Sequence, residues 1–331
     1  MQVFRHCDNI PEPYRGAVVA IGNFDGIHRG HQEIIGKAAR LAQEFGCPHA
    51  ILTFEPHPRS VFNPDCEPFR LTPFRLKARL IEALGVDALF ALPFDREFAK
   101  QSAEEFVGTI LVEGLRARYV VVGNNFRFGQ GRKGDIHLLE EMGRQNGFGV
   151  TSVDLLTDDN EEAYSSSLVR DYLMHGNPTR AALLLGRYWE IEGRVLGGDR
   201  RGRTIGFPTA NIGLGEALRP AFGVYAVRAG IEDGAKVAWH SGVANLGLRP
   251  TVDGATLLLE VHLFDFEGDL YGRHMRVALV DYIRPEQKFS GLEALREQIA
   301  EDCRRARATL ILEKWDADWP ASALLPEKPE G

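Results

Sequence analysis

The sequence predicts two folds in series: a doubly wound parallel α/β sheet, then an antiparallel β-barrel with a C-terminal helix. Three observations carry this. Up to Leu185, apolar runs of strand length alternate with stretches whose apolar residues recur at helical spacing, the pattern of a parallel sheet with crossover helices. After Gly186, strand-like runs succeed one another with only glycine, acidic or proline turns between them. From Leu292 a helical period returns. The 331 residues suit about two domains, so we set the boundary between residues 1–186 and 187–331.

Taken in order, Ala17–Ile21 reads as a buried parallel strand. The turn Gly22-Asn23-Phe24-Asp25-Gly26-Ile27-His28-Arg29-Gly30-His31 follows it. A helix from Gln32 to Phe45 comes next, with Ile34, Ile35, Ala38, Leu41, Ala42 and Phe45 on its apolar face. Such a turn sits where open α/β sheets collect ligands. Its glycines let backbone approach a ligand, and helix N-terminal amides attract phosphate. His28 and His31, three residues apart, can both face that phosphate as donors. A glycine-rich turn with two incidental histidines is the bland alternative. The Walker loop does not fit, since no Lys-Ser/Thr follows the glycines, and the turn does not match the dinucleotide fingerprint.

His49–Phe54 is the second strand, and Pro56 and Pro58 fix the loop Thr53–Arg59 beyond it. Thr72-Pro73 reads as an N-cap with proline at the first helical position, and Gly85 closes that helix. Val86–Leu92 is a third strand. Ser102 to Glu105 is a capping box, Arg118–Val122 a fourth strand and Val150–Asp154 a fifth. The loop Gly123–Asp135 leaves two readings open: Asn125 with Phe126 or Phe128 around a flat ring, or phenylalanines that plug the core. Ser165-Ser166-Ser167 with Arg170 is either a phosphate-binding helix start or a plain N-cap with a solvated arginine. Asn177-Pro178 starts a short helix ending at Leu185-Gly186.

In the second half, Glu190–Val195, Val224–Ala229, Val237–Val243, Thr256–Phe266 and Met275–Ile283 read as strands. The helix from Leu292 lines one face with Leu295, Ile299, Cys303 and Ala306. The proline- and charge-rich tail after Trp319 is expected to fray. Three stretches here carry chemistry. Glycines within Gly197–Asn211, among them Gly198 and Gly206 beside Arg203, suit phosphate, and Thr209 and Asn211 offer neutral oxygens on one side of an extended chain, suited to Mg²⁺. Gly242–Thr251, with Arg249, is a compact polar stretch. On Leu259–Phe266, Glu260 and His262 share a face opposite Leu259, Val261 and Leu263. Periodicity alone puts Glu260 on a solvated surface. A carboxylate within a barrel must instead be paired or used.

Composition narrows the function. The content is 44% hydrophobic and 26% charged, that of a globular protein, and the net charge is −7 with a pI near 5.9, against general nucleic-acid binding. Four scattered cysteines lack metal-ligand spacing and read as reduced thiols. With no leader and no membrane-length apolar run, a cytoplasmic protein is expected, without membrane partners.

The His-x-Gly-His of His28–His31 resembles the signature of the nucleotidyltransferase superfamily. With Arg201–Asn211 (Arg-Gly-Arg-x-x-Gly-Phe-Pro-Thr-Ala-Asn), Asp269–Gly272, Arg284 and Phe289, the chain from Val18 to Ala306 resembles the bacterial bifunctional riboflavin kinase/FMN adenylyltransferases, or FAD synthetases. The resemblance implies an N-terminal nucleotidyltransferase domain in which Gly22, Asp25, His28, Gly30 and His31 hold ATP. Phe54, Pro56, His57 and Pro58 would border FMN, with Phe126 and Phe128 nearby. Asn125 would orient the reacting groups, and Ser166, Ser167 and Arg170 would meet the triphosphate. In the implied kinase barrel, Glu260 is the general base, Thr209 and Asn211 hold Mg²⁺-ATP, Gly198, Arg203 and Gly206 meet phosphate, and Arg249 meets the flavin, which lies between barrel and helix. Riboflavin, FMN, FAD, ATP, ADP and pyrophosphate are the implied partners. Two departures are visible: Ser167 stands where threonine is frequent, keeping the hydroxyl, and Tyr188 stands where proline is common. A nucleotidyltransferase with another acceptor, or a non-catalytic flavin or nucleotide carrier, are the competing readings.

Overall fold

The computed structural model describes residues 1–154, 157, 162–197, 206–234, 236–251 and 254–312. Gly198, Arg203 and the tail beyond Trp319 lie outside them. The chain forms two compact units. One comprises Met1–Glu67 and Thr72–Ser165; the other comprises Pro68–Leu71 and the described residues from Ser166 on. Helices 166–174 and 178–185, counted with the first domain in the sequence, cluster with the second unit.

In the first unit, β1 (Gln2–Phe4), β2 (Val18–Ile21), β3 (His49–Glu55), β4 (Ala88–Pro93), β5 (Tyr119–Gly123) and β6 (Gly149–Val153) form one all-parallel sheet in the order β1-β4-β3-β2-β5-β6. Strand β1 has no counterpart among the expected strands, because its three residues are too short to display a period. Alternation sends neighbouring residues to opposite faces. Val18 and Ala20 join a core with Ile35, Ala38, Leu76 and Leu80, whereas Val19 and Ile21 join one with Phe106, Leu111 and Leu139. Helices α1 (Arg29–Phe45) and α3 (Phe74–Ala83) therefore cover one face. The second face is covered by α4 (Ala103–Phe106), its π-helical continuation Val107–Gly114, and α5 (Ile136–Asn146). A short helix α2 (Pro58–Phe62) follows β3. The chain steps from β2 outward to β3 and β4, then returns to place β5 on the other side of β2, so the reversal of strand order falls at the carboxyl end of β2.

Most local signals hold. Ser102 and Glu105 bond reciprocally, at 3.0 and 2.8 Å, as a capping box, and Gly85 takes a left-handed φ of 73° beyond α3. Thr72 does not cap α3. That position belongs to Pro73, and the Thr72 hydroxyl is drawn to a buried carboxylate instead.

The second unit holds α6 (Ser166–Met174), α7 (Pro178–Leu185), β7 (Trp189–Arg194), β8 (Ala210–Gly213), β9 (Gly223–Asp233), β10 (Lys236–Thr251), β11 (Gly254–Leu263), β12 (His274–Pro285) and α8 (Leu292–Leu312). The strands form one antiparallel sheet, β7-β12-β9-β10-β11-β8. Its two edges meet where Leu196 N–H, just past β7, donates to Asn211 O of β8 at 2.8 Å, which curls the sheet into a barrel. Strand β11 ends at Leu263 rather than Phe266, because the chain turns at Asp265, whose φ is 54°. Between barrel and α8 lies a core of Val224, Ala226, Val243, Phe264, Val280, Ile283, Ala306 and Leu310, with Tyr188 and Cys303 packed at its border. The segment Pro68–Leu71 is bonded into this unit: Leu71 O accepts from the Trp189 indole at 2.7 Å and Phe69 O from Arg170 Nε at 2.8 Å.

Candidate active sites

The first site grows from the carboxyl end of β2. Its turn is tight, with positive φ at Phe24, Gly26 and Ile27, and Phe24 and Ile27 are wholly buried. His28 is the N-cap of α1: its Nδ1 accepts from His31 N–H at 3.4 Å, so in the neutral ring the proton sits on Nε2. The His28 and His31 rings stack with centroids 3.7 Å apart. A Cβ on Gly30 would come within 3.2 Å of the His28 ring, and one on Gly22 within 3.1 Å of Phe24, so both glycines make room for rings. Two stacked imidazoles above a helix N-terminus form a donor-rich cradle for phosphate.

Asp25, which the resemblance groups with the ATP-holding residues, lies beneath this turn. It is buried and accepts from Thr72 N–H at 2.9 Å and Thr72 Oγ1–H at 3.1 Å, while Thr72 Oγ1 accepts from Gly26 N–H at 2.9 Å. The carboxylate thus braces the turn. A second brace escaped sequence reasoning. Lys77, fully buried on α3, donates to Asn23 O at 2.8 Å and to Glu55 Oε1 at 3.0 Å, and Thr53 Oγ1–H donates to Asn23 O at 3.2 Å. The available signal was a lysine on the apolar stripe of Leu76, Leu80 and Ile81.

The loops after β3 and β5 leave the same carboxyl end of the parallel strands. His57 caps α2, its Nδ1 accepting from Arg59 N–H at 3.1 Å, between exposed Pro56 and half-buried Pro58. Phe54 packs among Phe94, Phe98 and Phe106. Phe128 is core, buried against Phe106, so the flat-ring role expected of it does not fit; half-buried Phe126 stacks on it at 5.4 Å. Asn125 is exposed just past β5. Ser166 and Ser167 open α6 in the other unit, as does Arg170 one turn on.

The second site is a cavity of about 1040 Å³ lined by barrel strands, by Asp269 to Tyr271, and by Leu292, Leu295, Ile299 and Asp302 of α8. Its rear is set by charge pairing: Arg284 grips buried Asp302 at 2.7–3.1 Å and lies 5.8 Å over the Phe289 ring. Direct strand register sets Glu260 between Asn211 of β8 and Asn245 of β10, so the three share a face. Glu260 is not on a solvated surface: its side chain is 12% exposed, and Arg249 chelates both carboxylate oxygens. That hydrogen bonding, more than the opposing burial, favours the charged guanidinium of Arg249. Glu286 accepts from Asn245 Nδ2–H at 3.4 Å. Asn211 Oδ1 is buried with no partner among the described residues. An orphaned neutral oxygen beside Thr209 and near a carboxylate fits a hard cation such as Mg²⁺. Gly206 is exposed, with φ 89°.

Known proteins match both units. A family model described as FAD synthetase covers residues 10–168, and one described as Riboflavin kinase covers residues 185–310. The bifunctional riboflavin kinase/FMN adenylyltransferase of Escherichia coli (strain K12) is 43% identical over 95% of this chain and 99% of its own length. That of Bacillus subtilis (strain 168) is 38% identical over 90% and 93%. A solved structure titled as a macrolide-efflux protein from Streptococcus pneumoniae aligns with a TM-score of 0.81 at 30% identity over 95% of this chain and 99% of its own. Among the described residues, no helix here is long and apolar enough to cross a membrane.

Proposed function

The chain belongs to the bifunctional riboflavin kinase/FMN adenylyltransferase family and makes FMN from riboflavin and FAD from FMN, and we propose that these two transfers run at the two sites just described. In this division, residues 1–186 carry adenylyl transfer and residues 187–331 the kinase. The observation that carries the reading is the row Asn211, Glu260, Asn245 at the cavity wall, with an unpartnered amide oxygen beside a held carboxylate.

At the first site the FMN phosphate attacks the α-phosphorus of ATP and pyrophosphate leaves. The acceptor brings its own anionic nucleophile, so the protein supplies position and charge neutralisation. His28 Nε2, His31 and the α1 amides face the developing negative charge, while Gly22 and Gly30 give the rings and phosphates room. Asp25 acts as a brace for this turn rather than as a ligand of the nucleotide. Phe54 and Phe126, with Pro56, His57 and Pro58, border the flavin, and Asn125 orients the reacting groups. Ser166, Ser167 and Arg170 are assigned to the triphosphate through family membership alone.

At the second site the nucleophile is the neutral 5′-hydroxyl of riboflavin, which needs a base. Glu260 takes its proton as the oxygen attacks the γ-phosphorus. Arg249 orients the carboxylate and yields one oxygen to the entering hydroxyl. Thr209 and Asn211 would hold Mg²⁺, which when bound neutralises charge on the ATP phosphates. The isoalloxazine ring occupies the apolar cavity against α8. The acidic composition and scattered thiols suit a cytoplasmic enzyme without nucleic-acid or membrane partners.

Chromatography of products from riboflavin, or from FMN, with ATP and Mg²⁺ tests the division. Glu260→Gln should abolish FMN formation and leave FAD formation from FMN intact, and His28→Ala should do the reverse. If Glu260→Gln kept kinase turnover, the base assignment would be wrong. Equal loss of both reactions in both variants would end the two-site division.

A further inference from the structure

His262 shares the face of Glu260 and lines the same cavity, yet neither transfer uses it. The β8–β11 ladder ends at Ala210 opposite Val261. Extending that register sets Thr209 against His262 and Pro208 against Leu263. Proline has no N–H, so the ladder cannot continue through Pro208. The side chain of His262 takes over where the backbone stops: its Nδ1 lies 2.8 Å from Pro208 O. A carbonyl only accepts, so Nδ1 carries the proton. Phe207 and Phe264 meet the same ring edge-on at 5.5 and 5.9 Å and hold its plane.

We propose that His262 is a positioning residue for the metal-bound nucleotide, acting through the Pro208 carbonyl to hold Thr209 level with Asn211. This rests on the reading that Thr209 and Asn211 carry the cation. Asn211 is independently fixed, through its pairing with Glu260 and the bond from Leu196 N–H to its carbonyl. Thr209 lies past the last ladder pair, next to the carbonyl that His262 holds. Loss of the imidazole leaves Asn211 in register and loosens Thr209. The damage therefore falls on the part of nucleotide affinity that needs the cation.

Titration calorimetry of the full chain with ADP, with and without Mg²⁺, reads this. The adenylyl-transfer site contributes a common background to every variant. The wild-type chain should bind ADP more tightly with Mg²⁺. Asn211→Ala should remove that gain, and His262→Ala should cut it roughly three- to tenfold, as expected for one net hydrogen bond. His262→Asn, whose amide N–H can stand in for Nδ1–H, should restore most of it. Far-UV circular dichroism and an unchanged thermal-unfolding profile verify that the barrel of each variant is folded. An undiminished gain in His262→Ala, or a loss of ADP affinity equal with and without Mg²⁺, would overturn the inference alone, as would failure of His262→Asn to restore the gain. An undiminished gain in Asn211→Ala would overturn the metal reading and the inference with it.

Discussion

Asp25 and Thr72 illustrate how single residues settle the first site. A buried carboxylate persists where donors answer it, and Thr72 supplies two to Asp25 Oδ1, its hydroxyl also accepting from Gly26 N–H. Thr72→Val keeps the shape but leaves buried polar groups short of a partner, a cost of about 1–3 kcal/mol. Urea unfolding should show that loss, and KM for ATP in FAD formation should rise because the turn slackens; an unchanged KM would remove the brace from the mechanism. Gly30→Ala makes a sharper test. Alanine suits a helix, yet its Cβ meets the His28 ring at 3.2 Å. Circular dichroism should therefore stay constant while kcat/KM for FAD formation falls. His28 and His31 stand out in the sequence because their motif is local, whereas Glu260 is singled out by the family resemblance and not by periodicity. Thr72 and Lys77 do not stand out, since each acts on a turn about 50 residues away.

At the scale of elements, local chemistry reads well and tertiary competition does not. The Ser102 box was legible because both partners lie within four residues. Thr72-Pro73 has the look of a cap, but a buried carboxylate outbid the helix amides for the hydroxyl. Strands β1 and β8 are too short for a period, and each exists because a neighbour offers free ladder positions. Strand β3 carries a pH dependence that no pattern reveals. Burial pushes its first residue, His49, down to about 4 against the opposing pull of Asp87, and His49 Nε2 has no partner among the described residues. The unfolded chain takes up this proton near pH 6.5 while the folded one refuses it. Stability from this group is whole above pH 6.5 and declines as pH falls toward 4, by about 1.4 kcal/mol per unit. Denaturant midpoints at pH 7 and pH 5 should differ accordingly, and His49→Leu should flatten that difference.

At the scale of the molecule, two chemistries sit on two folds, each matched by its own family model. Separate sites imply that one chain can supply what another lacks. A mixture of Glu260→Gln and His28→Ala chains should convert riboflavin to FAD after a lag in which FMN accumulates. If each chain is active in its own half-reaction yet the mixture yields FMN and no FAD, FMN made on one chain does not reach another.

The sequence by itself determined both fold classes and the change of period after Gly186, because periodicity and motif are properties of neighbours along the chain. Only the tertiary structure decided that Asp25 is bonded to Thr72, that Phe128 is core, that Arg249 clasps Glu260, and that His262 Nδ1 donates to Pro208 O. Each of these is a contest for a hydrogen bond or for buried volume between residues far apart in sequence. Such contests are settled by which groups the packed chain brings within about 3 Å.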